Sequence, residues 1–436
     1  MKKPLKRILA KTLFKKEFRA FKHSKENSKL AAETNFRIRS RLKETSGQPI
    51  KVLFICHEPT LWGMFESIYS AMQESAVFDP IIVSLPYKHS SKRNNLYKDG
   101  GVVDALEERG IEVSKGFDEK TQSWSSPEEF APDYVFFQTP YELFHKSWSI
   151  DFISQIARVC YIPYGTTLFS GSVEYIVNPE HFMSKVHLFF KESAHTKKLF
   201  VELFSGKSWL SKARMAVTGN PKLDYLNIGT SKHTGSWKRA GKENIVRILW
   251  TPRWNTQDEC CHFFEYIAYF DEFSEKNPAI DFTFRPHPLA FGNFLKTGEL
   301  SEDRLAEIKQ HYSESPNQLL DESPDYRSTF AGCDILISDV SSMMLEFFAT
   351  GKPVIYTHRK NVFNDFGQKL SEGFYWVKDQ QELDQTLKRL LAGEDPLKDK
   401  RSRLLKDLLH LPEKGAAGEI LGALKNDFEQ AQKKVS

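Results

Sequence analysis

The run IKVLFICHEP, from Ile50 to Pro59, is apolar almost without interruption. A strand with one face in water alternates polar and apolar residues, whereas a strand covered on both faces does not. Runs of the same kind follow at FDPIIVSLP, IEVSKGF, DYVFFQTP, RVCYIPYG, VHLFFKES and ARMAVTGNP. Segments long enough for helices separate most of them, as at 64–75 and 101–109. Strand alternating with helix predicts parallel sheets covered by crossover helices, an α/β architecture.

The alternation stops and restarts. Residues 229–244, GTSKHTGSWKRAGKEN, are polar, rich in Gly, Ser and Lys, and aperiodic, which reads as a linker. Beyond it come IVRILWTPRW, IDFTFRPHP, DILISD, KPVIYTH and GFYWV. Two sets of buried strands predict two Rossmann-like domains with parallel sheets facing a cleft: residues 48–228 on the acceptor side and 245–410 on the nucleotide side, with a helical tail at 411–436. A chain of 436 residues is long enough for two such cores.

Charge is unevenly spread. Residues 1–47 are crowded with Lys and Arg, and Leu5, Ile8, Leu9, Leu13, Phe14, Phe18 and Phe21 recur there at helical spacing. A basic amphipathic helical arm of this kind suits an anionic membrane surface. Elsewhere no basic stripe is interleaved with aromatics, so nucleic acid is not an expected partner. No apolar stretch approaches the ~20 residues that span a bilayer, and no secretory signal is legible. The cysteines Cys56, Cys160, Cys260, Cys261 and Cys333 lack C-x-x-C spacing. A disulfide framework or zinc site is not expected, and a reducing cytoplasm is.

Ligands of open parallel sheets bind beyond the carboxyl ends of the strands. In the second set these ends carry Thr251, Arg253 and Trp254, then Arg285 and His287, then Asp339, Ser341 and Ser342. Guanidiniums match phosphate oxygens, and a helix beginning near Ser342 would aim free N–H groups at an anion. Isolated, either serine would be an ordinary N-cap; grouped with Arg253, Arg285 and His287 they suggest a diphosphate cradle. Glu346, four residues past Ser342, shares its helix face and suits ribose hydroxyls. In the first set, His57 closes the first strand and is the candidate general base, with Glu58 beside it. No D-x-D motif stands where it would bind a metal, and no cofactor is expected.

The set ILWTPRW, FRPHP and SDVSSMMLEFFATGKPVIY, preceded by VTGNPKLDYL, resembles the CDP-glycerol glycerophosphotransferase family, whose members build teichoic acid-like polyol phosphates on a GT-B fold. The resemblance covers about 133–356. It implies that His287 contacts donor phosphates or assists the leaving group, that Ser341 and Ser342 hold the diphosphate, and that Gly219, Asn220 and Pro221 line the cleft near the crossover. Two departures stand out. Where the family often has His-Gly, this chain has Tyr164 before Gly165, and Glu346 stands where the family commonly has Asp.

The expectation is therefore a cytoplasmic transferase, peripheral on the inner face of the membrane. It would move a CDP-activated polyol phosphate onto a hydroxyl of a cell-surface glycan or lipid-linked acceptor, in teichoic acid or capsule synthesis. Glu346 and the missing His-Gly leave open a GT-B glycosyltransferase using a nucleotide sugar. A catalytically inactive nucleotide- or glycan-binding relative is the other alternative.

Overall fold

The computed structural model describes residues 38, 40, 44, 47–88, 97–141, 144–165, 168–170, 179–227, 237–239, 241–323, 326–358 and 360–433. The expected basic helix at the start of the chain lies outside the described residues, apart from Ile38, which is buried against the first core.

The first domain is a seven-stranded sheet. Its strands are β1 (Ile50–Cys56), β2 (Phe78–Ser84), β3 (Ser114–Lys115), β4 (Tyr134–Phe137), β5 (Arg158–Tyr161), β6 (Leu188–Lys191) and β7 (Arg214–Val217). They are ordered β7-β6-β5-β4-β1-β2-β3, every pairing parallel. The second is a six-stranded parallel sheet built from β8 (Val246–Thr251), β9 (Ile280–Phe284), β10 (Gln318–Leu320), β11 (Ile335–Ser338), β12 (Val354–Thr357) and β13 (Tyr375–Val377). Its order is β10-β9-β8-β11-β12-β13. The same device starts both sheets. Asp133, ahead of β4, accepts from Lys51 N of β1 at 2.9 Å, and Asp334, ahead of β11, accepts from Arg247 N of β8 at 2.9 Å.

The central strands are buried on both faces, as the uninterrupted apolar runs require. Helix α1 (Glu66–Gln73) covers the first sheet, and α2 (Ala194–Leu203) begins at Ser193 in a capping box. In the second domain lie α3 (Phe263–Lys276), α4 (Arg327–Gly332), α5 (Met343–Phe348) and α6 (Lys398–Leu408).

The chain then recrosses. Helix α7 (Gly415–Lys433) buries Ile420, Leu424 and Phe428 in the core of the first domain, so the tail belongs physically to that body. The expected linker is also partly docked on the second domain: Trp237 is buried with its Nε1 donating to Thr329 O, and Arg239 Nε pairs with Asp281 at 2.6 Å. The two crossings touch. Gly219 has φ +83°, and a Cβ there would lie 2.7 Å from His410 O, so a side chain is excluded by both conformation and space. Asp224 accepts from Ala416 N and Ala417 N, capping α7 at 2.7 and 2.9 Å.

Other contacts join the domains around the cleft. Arg327 pairs with Glu66, Phe169 stacks on Phe363 at 5.3 Å, and Asn364 N donates to Leu168 O at 3.0 Å. Among the described residues, no helix is long and apolar enough to cross a membrane.

Candidate functional site

The carboxyl rim of the second sheet gathers part of the expected set. Arg253, just past β8, and His287, just past β9, are close enough for the guanidinium charge to act on the imidazole. Although part of the His287 side chain is open to solvent, partial enclosure of its ring, with the Arg253 charge second, lowers its pKa. The ring is therefore neutral near pH 7. Leu289 N donates to His287 Nδ1 at 3.2 Å, which places the ring proton on Nε2 and makes that atom a hydrogen-bond donor. Trp254 packs near the same ring, with centroids 6.0 Å apart.

Arg253 is held rather than free to swing. Its Nη2 lies 2.5 Å from Asp258 Oδ2, and Nη1 donates to Val340 O at 3.2 Å. These bonds fix the guanidinium beside the turn that carries the serines. Within that turn the two hydroxyls differ. Ser341 Oγ accepts from Met343 N at 3.2 Å and so serves the start of α5, whereas the exposed Ser342 makes no side-chain cap. Ser342 is thus the hydroxyl available to a ligand. Helix α5 has only six residues, so its dipole adds little.

Three expected rim residues stand elsewhere. Asp339 is fully buried and accepts from Arg253 N at 2.9 Å, His262 N at 3.0 Å and His262 Nδ1 at 2.9 Å, with Thr357 Oγ1 as a further donor. A carboxylate so saturated ties three loops together and does not face phosphate. Arg285 turns its fork inward, to Asp321 Oδ2 at 2.6 Å and Ser323 O at 2.6 Å, with its charge over Tyr326 at 5.9 Å. It positions the segment carrying Tyr326. Thr251 is buried and donates to Ser338 Oγ at 2.8 Å between neighbouring strands, not into the cleft.

On the first domain, His57 lies at the end of β1 as its sequence position requires, but it is 5% exposed. Its ring meets Phe144 edge-on at 5.3 Å, and Nε2 is 3.5 Å from Thr139 Oγ1. Burial lowers its pKa to about 4 instead of leaving it near neutrality, so it is a weak proton acceptor. Gly165 follows Tyr164, whose hydroxyl is bonded to that of Tyr141 at 2.7 Å; burial raises the Tyr164 pKa. Gly219 and Asn220 stand at the crossover, and Pro221 O accepts from Ser67 Oγ at 3.3 Å.

Glu346 occupies the inner part of the cleft. It is 2% exposed, accepts from the Tyr326 hydroxyl, and has Lys222 Nζ 3.5 Å from Oε1. Opposite it, at the end of β6, stands Glu192, with Asn220 Nδ2 3.5 Å from its Oε2. Glu192, Lys222 and Tyr326 were not among the expected site residues. Glu192 had a signal: it follows VHLFFK at a strand end, by the same rule that singled out His57. Among the described residues, no group of three or more His, Cys, Asp or Glu is placed to hold a metal ion.

No curated protein matches the sequence. The solved structure of the wall teichoic acid polymerase TagF is 14% identical, with a TM-score of 0.56 over 95% of this chain and 98% of that one. UDP-GlcNAc 2-epimerase from Neisseria meningitidis bound to UDP-GlcNAc is 14% identical, with a TM-score of 0.57 over 86% of this chain and 100% of its own. A putative UDP-N-acetylglucosamine 2-epimerase from Listeria monocytogenes is also 14% identical, at 0.56 over 88% and 97%. These likenesses establish the fold, a GT-B arrangement of two Rossmann-like domains. The family described as CDP-Glycerol:Poly(glycerophosphate) glycerophosphotransferase matches residues 182–405, more than half of the chain. Its match runs from the end of the first sheet through every residue named on the rim of the second, and the chain belongs to that family.

Proposed function

We propose that the cleft transfers glycerol phosphate, or a related polyol phosphate, from a CDP-activated donor to a hydroxyl of a cell-surface glycan or lipid-linked acceptor. Family membership supports the reaction class. The observation that carries the site is the meeting of Arg253, His287 and Ser342 on one rim, with Glu346 one helical turn further in. TagF, which shares the fold, has been solved after soaking with CDPG.

The acceptor oxygen attacks the phosphorus that bears the glycerol. The bond from that phosphorus to the bridging oxygen breaks, its electron pair leaves on CMP, and the hydroxyl proton passes to a base or to water. Charge growing on the departing phosphate is met by the fixed Arg253 guanidinium, the Nε2–H of neutral His287 and the Ser342 hydroxyl. His57 is the first-domain histidine placed at a strand end, and its low pKa makes it a hydrogen-bond acceptor for the incoming hydroxyl more than a proton sink. Leaving-group stabilisation then carries most of the rate. Acceptors anchored in an anionic leaflet would be approached through the basic arm of residues 1–47, each cation adding ~1 kcal/mol near the surface. Release of vesicle-bound protein by moderate salt tests that docking.

A thermal-shift panel of CMP, CTP, CDP-glycerol, UDP and UDP- and GDP-sugars tests the donor. A ligand at a hundred times its Kd stabilises by ~2.7 kcal/mol, a shift of several degrees for domains of this size. Selective stabilisation by cytidine compounds is expected, together with a loss of turnover of about 10²-fold or more in His287→Ala. A response confined to uridine or guanosine compounds would replace this reading with nucleotide-sugar transfer. Nucleotide binding with no turnover on any acceptor would make the chain a binding relative.

A further inference from the structure

The two rims of the cleft differ in charge. The donor rim holds the Arg253 guanidinium beside His287. Across from it, the carboxyl ends of β1, β4, β5, β6 and β7 lie side by side in the first sheet, and they present hydroxyls, amides and the acids Glu58 and Glu192. The cations of this region are engaged elsewhere. Lys191 turns into the first domain, with Nζ 3.6 Å above the Phe200 ring. Lys222 pairs with Glu346, and Arg109 and Arg327 share Glu66. Lys146 lies on the outer flank, where Trp148 Nε1 donates to Ser125 O at 3.0 Å, and Lys115 is two strands beyond β1 at the sheet edge. Among the described residues, none of these five strand ends turns a guanidinium or ammonium outward.

The centre of this wall is a pair of tyrosines. Tyr141, past β4, and Tyr164, past β5, come from adjacent strand ends, with their hydroxyls 2.7 Å apart and their ring centroids 6.1 Å apart at 65°. Both are half-buried, whereas His57 beside them is buried. Tyr164 packs on the cores of both sheet faces, which fixes it over the end of the sheet. Whichever hydroxyl of the pair donates, the Tyr164 oxygen keeps a lone pair for the O–H of an incoming alcohol. Burial raises the Tyr164 pKa, so this phenol orients a nucleophile without removing its proton. Its ring adds an apolar surface beside a polar tip, a combination that matches the C–H face and hydroxyls of a sugar.

We propose that this wall selects an uncharged sugar hydroxyl as acceptor, seated on Tyr164 and Tyr141, and rejects the end of a polyol-phosphate chain, so that the protein adds one unit to a glycan and does not extend its own product. The proposal rests on the transfer reading above and deepens it. The step is the one already written: the sugar oxygen bonds to phosphorus, the P–O bond to CMP breaks with its electron pair, and the sugar proton is released to the CMP phosphate or to water. A chain end carries a phosphodiester on the same glycerol as the attacking hydroxyl. Seated here, it would bring that charge toward Glu58 and Glu192 with no cation to receive it. A sugar ring brings no charge.

The test compares transfer from CDP-glycerol to three probes by the full chain: octyl β-glucoside, octyl N-acetyl-β-glucosaminide and the octyl phosphodiester of glycerol. Wild type should favour at least one glycoside over the phosphodiester by about tenfold or more in kcat/KM, and each product should carry a single glycerol phosphate. Tyr164→Phe and Tyr141→Phe should each raise the glycoside KM about three- to tenfold, the effect of one neutral hydrogen bond, with the Kd for CMP unchanged. The double variant should lose less than the product of the two single losses, because the hydroxyls work as a pair. Unchanged CMP binding also shows that the variants fold. Glu58→Lys should narrow the preference by improving use of the phosphodiester. Equal or better use of the phosphodiester by wild type, products bearing several units, or tyrosine variants that weaken CMP as much as the glycoside overturn the proposal. Binding of CDP-glycerol without transfer to either glycoside overturns it and leaves the donor site standing. No binding of CDP-glycerol removes the transfer reading itself, and this proposal with it.

Discussion

Two acids at opposite ends of the first sheet show how differently the same ingredients can be used. At the amino ends of the strands, Asp427 from α7 is buried among Arg158 at 2.5 Å, His187 at 3.1 Å, Arg214 and the Tyr134 hydroxyl at 2.8 Å. Although burial alone would raise its pKa, these partners hold it well below the ordinary carboxylate range. At the carboxyl ends, burial and then another acid across the cleft raise the Glu192 pKa to about 7. One end joins a distant helix to the sheet. The other keeps charges poorly compensated until something enters. Compensated charge is concentrated at one end of the sheet and uncompensated charge at the other.

The largest test of this contrast removes the satisfied acid. Asp427→Asn leaves Arg158 buried without its counter-charge, and should cost about 3–5 kcal/mol of unfolding free energy in urea titration. Turnover of the folded fraction should be unchanged. The sign with pH is fixed by the depressed pKa: the contribution is present above about 4, the unfolded value, and is lost as acid protonates the folded carboxylate. An Asp427→Asn variant as stable as wild type would remove the first half of the contrast.

The next effect has the opposite sign. Lys191 is buried over a phenyl ring, and burial lowers its pKa to about 7. Its penalty is complete below pH 7 and disappears as pH rises toward about 10.4, where the unfolded lysine also loses its proton. Lys191→Met should therefore stabilise the protein by about 2–4 kcal/mol at pH 7, with less gain at pH 9. Destabilisation at both pH values would show instead that the ammonium's stacking on Phe200 outweighs its desolvation.

How far the sequence discloses such a contrast depends on what sets each residue's surroundings. Strands covered on both faces announce themselves, because β1, β4 and β11 are apolar apart from Lys51 near the start of one and Ser338 at the end of another, and the turn-and-helix rhythm then orders them. Strand ends are equally legible, which is why Arg253, His287, Ser342, Glu346 and His57 could be named. What lies beyond a strand end is not. Asp339 and Ser342 are three residues apart on one turn, yet one is sealed under His262 and the other is open, and the difference comes from the loop at 260–262 folding over it. Arg285 is lost to Asp321 because β10 happens to be its neighbour. Glu192 acquires its character from its burial and then from Glu346, 154 residues later, through the packing of one domain on another. No local pattern carries that.

The smallest effect isolates the crowded acid. A carboxyl whose folded pKa of about 7 exceeds its unfolded value of about 4.3 resists ionisation in the fold. The fold therefore weakens progressively as pH climbs from 4.3 to 7, and the loss stays constant above that. Glu192→Gln keeps the shape and removes the charge. Its gain should be absent at pH 4 and reach about 1–2 kcal/mol at pH 8, with the partial exposure of the side chain and its proximity to Lys222 reducing the full linkage value. A gain that is the same at pH 4 and pH 8 would mean that burial and Glu346 do not hold Glu192 near neutrality, and the two ends of the sheet would differ in place but not in kind.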